Sequence, residues 1–150
     1  MKILASFVLA AAAITLAAPA QAQFAKPEDA IKYRKAVMTL QGSHFGRIAA
    51  MANGRIPFDA AAVVENATVL EMVTRLPLAG FVPGSDKGET GAKPEIWTDT
   101  AKFKSVGEKL NADSVKLLVA AKTGNLDMIK AAVGPVGGTC KACHDDFRKD

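Results

Sequence analysis

The sequence predicts an all-α domain, an antiparallel up-down-up-down bundle of four helices. Three observations predict it. Four segments carry apolar residues three and four apart, no segment shows the alternation of a half-buried strand, and two short connections and one long one join them.

Residues 1–22 precede the bundle. Lys2 supplies a positive start, Ile3 to Ala18 is almost continuously apolar, and Ala20-Gln21-Ala22 forms an A-x-A cleavage site, the pattern of a secretory signal peptide. A run of this length could span a membrane. Alanines dominate it, however, and the cleavage motif follows almost directly after Pro19, so a signal peptide is preferred to a retained anchor. Cleavage would leave residues 23–150 as one domain and lower the formal charge from +4 to +3, because Lys2 is the only charged residue removed. No later stretch is apolar enough to span a bilayer, so the expected product is soluble and periplasmic.

The first helix is expected from Pro27, a residue favoured at the first helical position, to the Asn53-Gly54 cap. Its inward stripe reads Ile31, Arg34, Met38, Gln41, Phe45, Ile48 and Ala52. A second helix runs from Asp59 as N-cap to about Leu76, with Val63, Ala67, Leu70 and Val73 on one face before Pro77 interrupts it. Residues 77–95, rich in Gly and Pro, form the long connection, and loops of that length in small domains are functional or disordered. The third helix starts near Thr98 or Asp99 and repeats Phe103, Val106, Leu110, Ser114, Leu117 and Ala121 until Thr123-Gly124. The fourth opens on Asn125 and continues through Leu126, Ile129 and Val133. Gly134-Pro135 and Gly137-Gly138 should kink or loosen its middle.

Basic residues are interspersed with acidic ones and form no cluster with aromatics, so nucleic-acid binding is not indicated. The chemistry concentrates in Cys140-Lys141-Ala142-Cys143-His144, the C-x-x-C-H signature of covalent haem attachment. Positions three and four apart share a helix face. Both sulfurs can therefore bond the vinyl groups of one haem while the imidazole binds its iron. Thioether attachment also accounts for two cysteines persisting in an oxidising compartment without a disulfide.

Two other readings use the same residues. A thiol-disulfide oxidoreductase places C-x-x-C at a helix start in a mixed α/β fold, and no strands are visible here. A structural zinc site needs four ligands, whereas the chain has two cysteines, His144 and the distant His44.

Arg34 is a second signal. A buried guanidinium needs compensation, and a haem propionate is a suitable bidentate partner; otherwise Arg34 snorkels to solvent at the edge of the stripe. Met38, one turn further, faces the open side of the iron on this reading. Its sulfur either ligates, giving low-spin iron suited to electron transfer, or merely packs and leaves the sixth position vacant. His44 is turned roughly 120° away from Met38 around the helix and reads as a surface or interface residue.

The stretches 23–34, 43–47 (Ser-His-Phe-Gly-Arg), 93–97 (Lys-Pro-Glu-Ile-Trp) and 140–148 together resemble cytochrome c′, the class II c-type cytochromes, across residues 23–150. The resemblance implies a four-helix bundle holding one covalent haem c per chain, with high-spin, five-coordinate iron, and a homodimer formed through the first two helices. It implies His144 as axial ligand, Cys140 and Cys143 as attachment points, Met38 shielding the distal face, and Arg34 with Lys35 at a propionate. Phe81, Glu89 and Thr90 would lie along the haem, and Arg148 near its proximal face. Lys35 stands where a glutamine is frequent, Leu78 where some relatives have an aromatic, and Pro135 interrupts the last helix.

The implied function is binding of nitric oxide and carbon monoxide together with single-electron transfer. Nitric oxide would displace the axial histidine. The alternative is a low-spin, Met-ligated carrier of the cytochrome c556 type, which is expected to place its methionine near the position of Arg34. A redox enzyme finds little support, since no distal histidine or carboxylate is placed to move protons.

Overall fold

The computed structural model describes residues 23–149; the expected signal peptide lies outside them. Four long helices are joined in sequence: α1 (Pro27–Ala52), α2 (Ala60–Val73), and, after a 3-10 turn (Pro77–Gly80) and the one-turn α3 (Glu95–Thr98), α4 (Thr100–Lys122) and α5 (Leu126–Phe147).

Local chemistry sets most boundaries. Pro27 opens α1 with Glu28 and Asp29 in its first turn, where acidic side chains complement the helix dipole. Asp59 caps α2 by accepting from the backbone N–H of Ala61 (2.9 Å) and Ala62 (3.1 Å). Asp99 does the same for α4 from Lys102 N–H, and Asn125 for α5 from Asp127 and Met128. Gly54 and Gly124 stop α1 and α4 at positive φ (69° and 66°), which a residue bearing a Cβ rarely adopts.

Two expectations about the helices are corrected. First, α2 stops at Val73 rather than Leu76: Thr74 to Leu76 form a turn, and Pro77, which has no N–H to donate, starts the 3-10 turn instead of continuing the helix. Second, α5 is continuous through Pro135. The carbonyl that Pro135 leaves unpaired belongs to Ala131, and both residues are exposed, so solvent can satisfy it.

Among the described residues α1 packs on α2 and α5, and α4 packs on the same two, which closes the four-helix ring. One buried cluster, centred on Ile48, Val63, Leu70, Leu117, Ile129 and Val136, fills part of the bundle. A second gathers Ala92, Ile96 and Phe147 with the partly buried Phe81, Trp97, Phe103 and Cys143. The segment after the 3-10 turn is tied to the C-terminus by an isolated antiparallel bridge between Ala92 and Arg148, with Lys93 N–H donating to Phe147 O (2.9 Å) and Lys149 N–H to Gly91 O (2.8 Å).

Candidate haem site

Two adjoining chambers, of about 250 and 240 Å³, open between the two clusters and share Met38, Phe81, Phe103, Cys143 and His144 as walls. Cys140 lines the first. The C-x-x-C-H residues, on successive turns of α5, therefore meet one continuous space, as their spacing on a helix requires.

The chambers differ in chemistry. The first is walled by Phe45, Leu70, Leu78 and Leu110, and glycines make its room: a Cβ on Gly107 would lie 3.2 Å from Leu78 Cδ2. The second is apolar at Ile96 and Phe147 but carries Arg34, Lys35, Thr90 and Arg148. An apolar interior beside a cationic, hydroxyl-bearing rim suits a flat macrocycle with carboxylates on one edge.

Within this space both thiols are held protonated. Burial pushes the Cys140 and Cys143 pKa values up, and for Cys143 the neighbouring Cys140 and Asp146 add to it. A thiol-disulfide oxidoreductase needs the opposite shift. His144 is pulled down by burial first and by Arg148 second, against a smaller opposing effect of Asp145. The neutral imidazole, the form that ligates a metal, is thereby favoured.

Arg34 lines the second chamber and is only 2% exposed. Its protein partners are all neutral. One terminal nitrogen donates to Gly80 O (2.8 Å) and Ser85 Oγ (2.7 Å), the other to Ser85 O (2.6 Å) and Thr90 Oγ1 (2.7 Å). All four terminal N–H groups are thus committed to neutral acceptors, which compensate a burial that lowers the Arg34 pKa. Thr90 Oγ1 also accepts from Ala92 N–H, which leaves its own hydrogen free to be donated.

The remaining expected residues divide. Phe81 lines both chambers, and Lys35 and Arg148 are exposed at the rim of the second. Met38 is 37% exposed and lies along both. Glu89 is exposed and lines neither chamber, because the segment turns at Gly88 (φ 87°) and brings Thr90 inward instead. His44 stands apart, 2.9 Å from Asn66 Oδ1, where it links α1 to α2.

Sequence reasoning missed Gln41 as a cavity residue; it reaches the first chamber while donating to Val73 O (3.0 Å). It also missed Asp113, 4% exposed on α4, whose Oδ2 accepts from Thr139 Oγ1 (2.7 Å), next to Cys140, and from Lys109 Nζ (2.7 Å).

Residues 29–148 match the family model described as Cytochrome C′. The chain belongs to the cytochrome c′ family. Cytochrome c′ of Rubrivivax gelatinosus is 52% identical over 128 residues, covering 85% of this chain and 99% of that protein. The crystal structure of cytochrome c′ from that organism superposes with a TM-score of 0.82 at 52% identity, over 85% of this chain and 100% of that one. A nitric oxide complex of a leucine-to-alanine variant of cytochrome c prime from Alcaligenes xylosoxidans gives 0.80 at 48% identity, over 85% and 99%. As a cytochrome c′ the chain is a c-type haem protein with covalently bound haem c in an antiparallel four-helix bundle. Its own donor set fits that group: two protonated thiols, a neutral imidazole, an apolar cavity and a cationic rim.

Proposed function

We propose that the mature protein is a periplasmic, non-enzymatic haem protein that binds nitric oxide and carbon monoxide and exchanges single electrons. In this reading Cys140 and Cys143 would hold the haem covalently and His144 would bind its iron. The bound haem supplies an iron that changes charge by one electron and takes up a small uncharged gas.

The observation that carries the reading is the composition of the first chamber. His144 is the only imidazole along it, and the other walls are chiefly Met38, Phe45, Leu70, Leu78, Phe81 and Leu110. These side chains crowd the space beside His144 and would offer a bound iron no second imidazole. Arg34, near whose position a Met-ligated carrier would hold its sulfur, is instead fixed to the 80–90 segment. Lys35, Arg148 and the Thr90 hydroxyl are available to the carboxylate edge.

Nitric oxide binding is supported further by the solved nitric oxide complexes of the Alcaligenes relative. Leu40 (45% exposed) on α1, Met72 (61%) on α2 and Leu76 (40%) just beyond it leave apolar side chains exposed, which supports a homodimer through the first two helices. Sedimentation of the secreted protein over a range of concentrations is expected to give twice the monomer mass, and a monomer at every concentration would reject the dimer.

A second reading, Met-ligated low-spin iron, is favoured by one fact: Met38 lies along both chambers. Ferric and ferrous absorption spectra separate the two. High-spin spectra are expected, whereas the weak far-red sulfur-to-iron band of a Met-ligated ferric haem would establish the second. A colourless secreted protein with the mass of the bare polypeptide would overturn both.

A further inference from the structure

We propose that Arg34 is a positioning residue: its guanidinium clamps segment 80–92 to α1 as the wall of both chambers, and so governs how freely small ligands enter.

The segment contributes Phe81, Thr90, Gly91 and Ala92 to the chamber walls, yet it has little structure of its own. Beyond the 3-10 turn its internal backbone bonds are Ser85 N–H to Val82 O (3.1 Å) and Thr90 N–H to Gly88 O (2.8 Å). Gly84 and Gly88 both take positive φ (82° and 87°), so the chain turns twice in the left-handed region between Phe81 and Thr90.

The end of the segment is bridged to the C-terminus at Gly91 and Ala92; what fixes the rest of it to α1 is one side chain reaching three places along it. Arg34 holds the start at Gly80 O, the middle at both oxygens of the fully buried Ser85, and the end at Thr90 Oγ1. The hold is extended by relay. Ser85 Oγ, having accepted from Arg34, donates to Val82 O (2.7 Å), and that carbonyl also accepts from Trp97 Nε1 (3.3 Å).

The same guanidinium stacks on the Phe81 ring at 4.5 Å and lies 5.7 Å from that of Trp97. Phe81 in turn meets Phe103 edge-on at 4.8 Å, and together they wall both chambers. At the start of the segment a Cβ on Gly80 would come within 2.8 Å of Arg34 Cβ, so the backbone is pressed directly onto α1.

Only a planar fork of several donors can serve these acceptors at once. Lysine offers the charge but neither the fork nor the stacking plane. An Arg34 whose sole task was to place a positive charge near a carboxylate would keep that charge as lysine; a clamp would be lost.

The clamp is tested on the haem-loaded protein by hydrogen exchange with mass spectrometry, comparing peptides from 80–92 with peptides from α4. Arg34→Lys is expected to speed exchange in 80–92 by about tenfold or more for each charged hydrogen bond lost, with α4 unchanged. Ser85→Ala and Thr90→Val, which remove acceptors and keep the cation, should move the same peptides less. Carbon monoxide association after flash photolysis should quicken in the same order.

Unchanged exchange of 80–92 in folded Arg34→Lys would overturn the clamp, and so would an acceleration shared equally by α4. Should Arg34→Lys fail to fold, unchanged exchange in both acceptor variants overturns it. Only the gas-entry part rests on the proposed function, and the absorption spectrum of the unsubstituted protein tests that separately.

Discussion

Asp113 is expected to lock the haem-bearing helix to its neighbour, and the size of that effect follows from its contacts. The carboxylate is buried on α4 and accepts at 2.7 Å from Thr139 Oγ1, itself 4% exposed and adjacent to Cys140. Its second partner, Lys109, has a side chain 60% exposed. Asp113→Leu removes the acceptor and leaves the Thr139 hydroxyl buried without it, at about 1–3 kcal/mol. Asp113→Asn keeps an oxygen for Thr139 and loses chiefly the pairing with an exposed lysine, at about 0–1 kcal/mol. Thr139→Val should cost about 1–3 kcal/mol by withdrawing a donor from a buried charge.

Urea unfolding of the haem-loaded protein, followed by far-UV circular dichroism at pH 7, measures all three and the Leu/Val double variant. The double variant should be more stable than the sum of the single losses implies, by at least about 1 kcal/mol, because neither partner remains buried alone. Additivity within about 0.5 kcal/mol, or equal losses for Asn and Leu, would refute the interlock.

The same residue sets a pH signature. Burial alone would raise the Asp113 pKa, but the hydrogen bonds from Lys109 and Thr139 and the charges of Lys109 and Lys116 outweigh it and hold it below its ordinary value. A carboxylate depressed on folding contributes stability that is fully present above its unfolded pKa of about 3.9 and is lost as pH falls through the folded value. The gap between the unsubstituted protein and Asp113→Asn should therefore be complete at pH 7 and close below about pH 4. A gap that persists undiminished at the acid end assigns the effect to shape rather than charge.

Three further outcomes are expected. Met38→Ala should speed carbon monoxide association by opening the wall that both chambers share; an unchanged rate shows that Met38 is not the barrier. Gly80→Ala forces a Cβ to within 2.8 Å of Arg34 Cβ and 3.1 Å of Ala30 O; it should destabilise by about 1–3 kcal/mol and expose residues 80–92 to limited proteolysis. Asn125→Ala withdraws the cap from two N–H groups of α5 and should cost about 1 kcal/mol in a urea melt, with Asn125→Asp restoring most of it.

What could be read from the sequence was decided within a turn or two of chain. The caps at Asp59 and Asn125 stand where expected because each acts on N–H groups two or three residues away. The cysteines and His144 converge because helical spacing alone brings them to one face. Met38, Gln41 and Phe45 all line the first chamber, with Met38 also exposed; periodicity cannot distinguish a residue that fills a core from one that lines a cavity.

The partners of Arg34 and Asp113 lay beyond that reach for a physical reason. The acceptors of Arg34 are 46 to 56 residues away and include two backbone carbonyls, which every residue possesses and no side-chain pattern announces. The stripe could identify a cation that needed compensation; it could not show that the 80–90 segment folds back onto α1 and brings neutral acceptors to it. Asp113 was hidden by an ordinary i, i+4 pairing with Lys109, which reads as solvated surface until α5 brings Thr139 across from 26 residues away. Both polar groups hold elements that wall or carry the chambers: Arg34 the segment bearing Phe81, Asp113 the turn before Cys140. The Asp113–Thr139 bond reinforces one helix pair of the bundle that outlines the cavity, whereas Arg34 fixes a piece of its wall that lies outside the long helices.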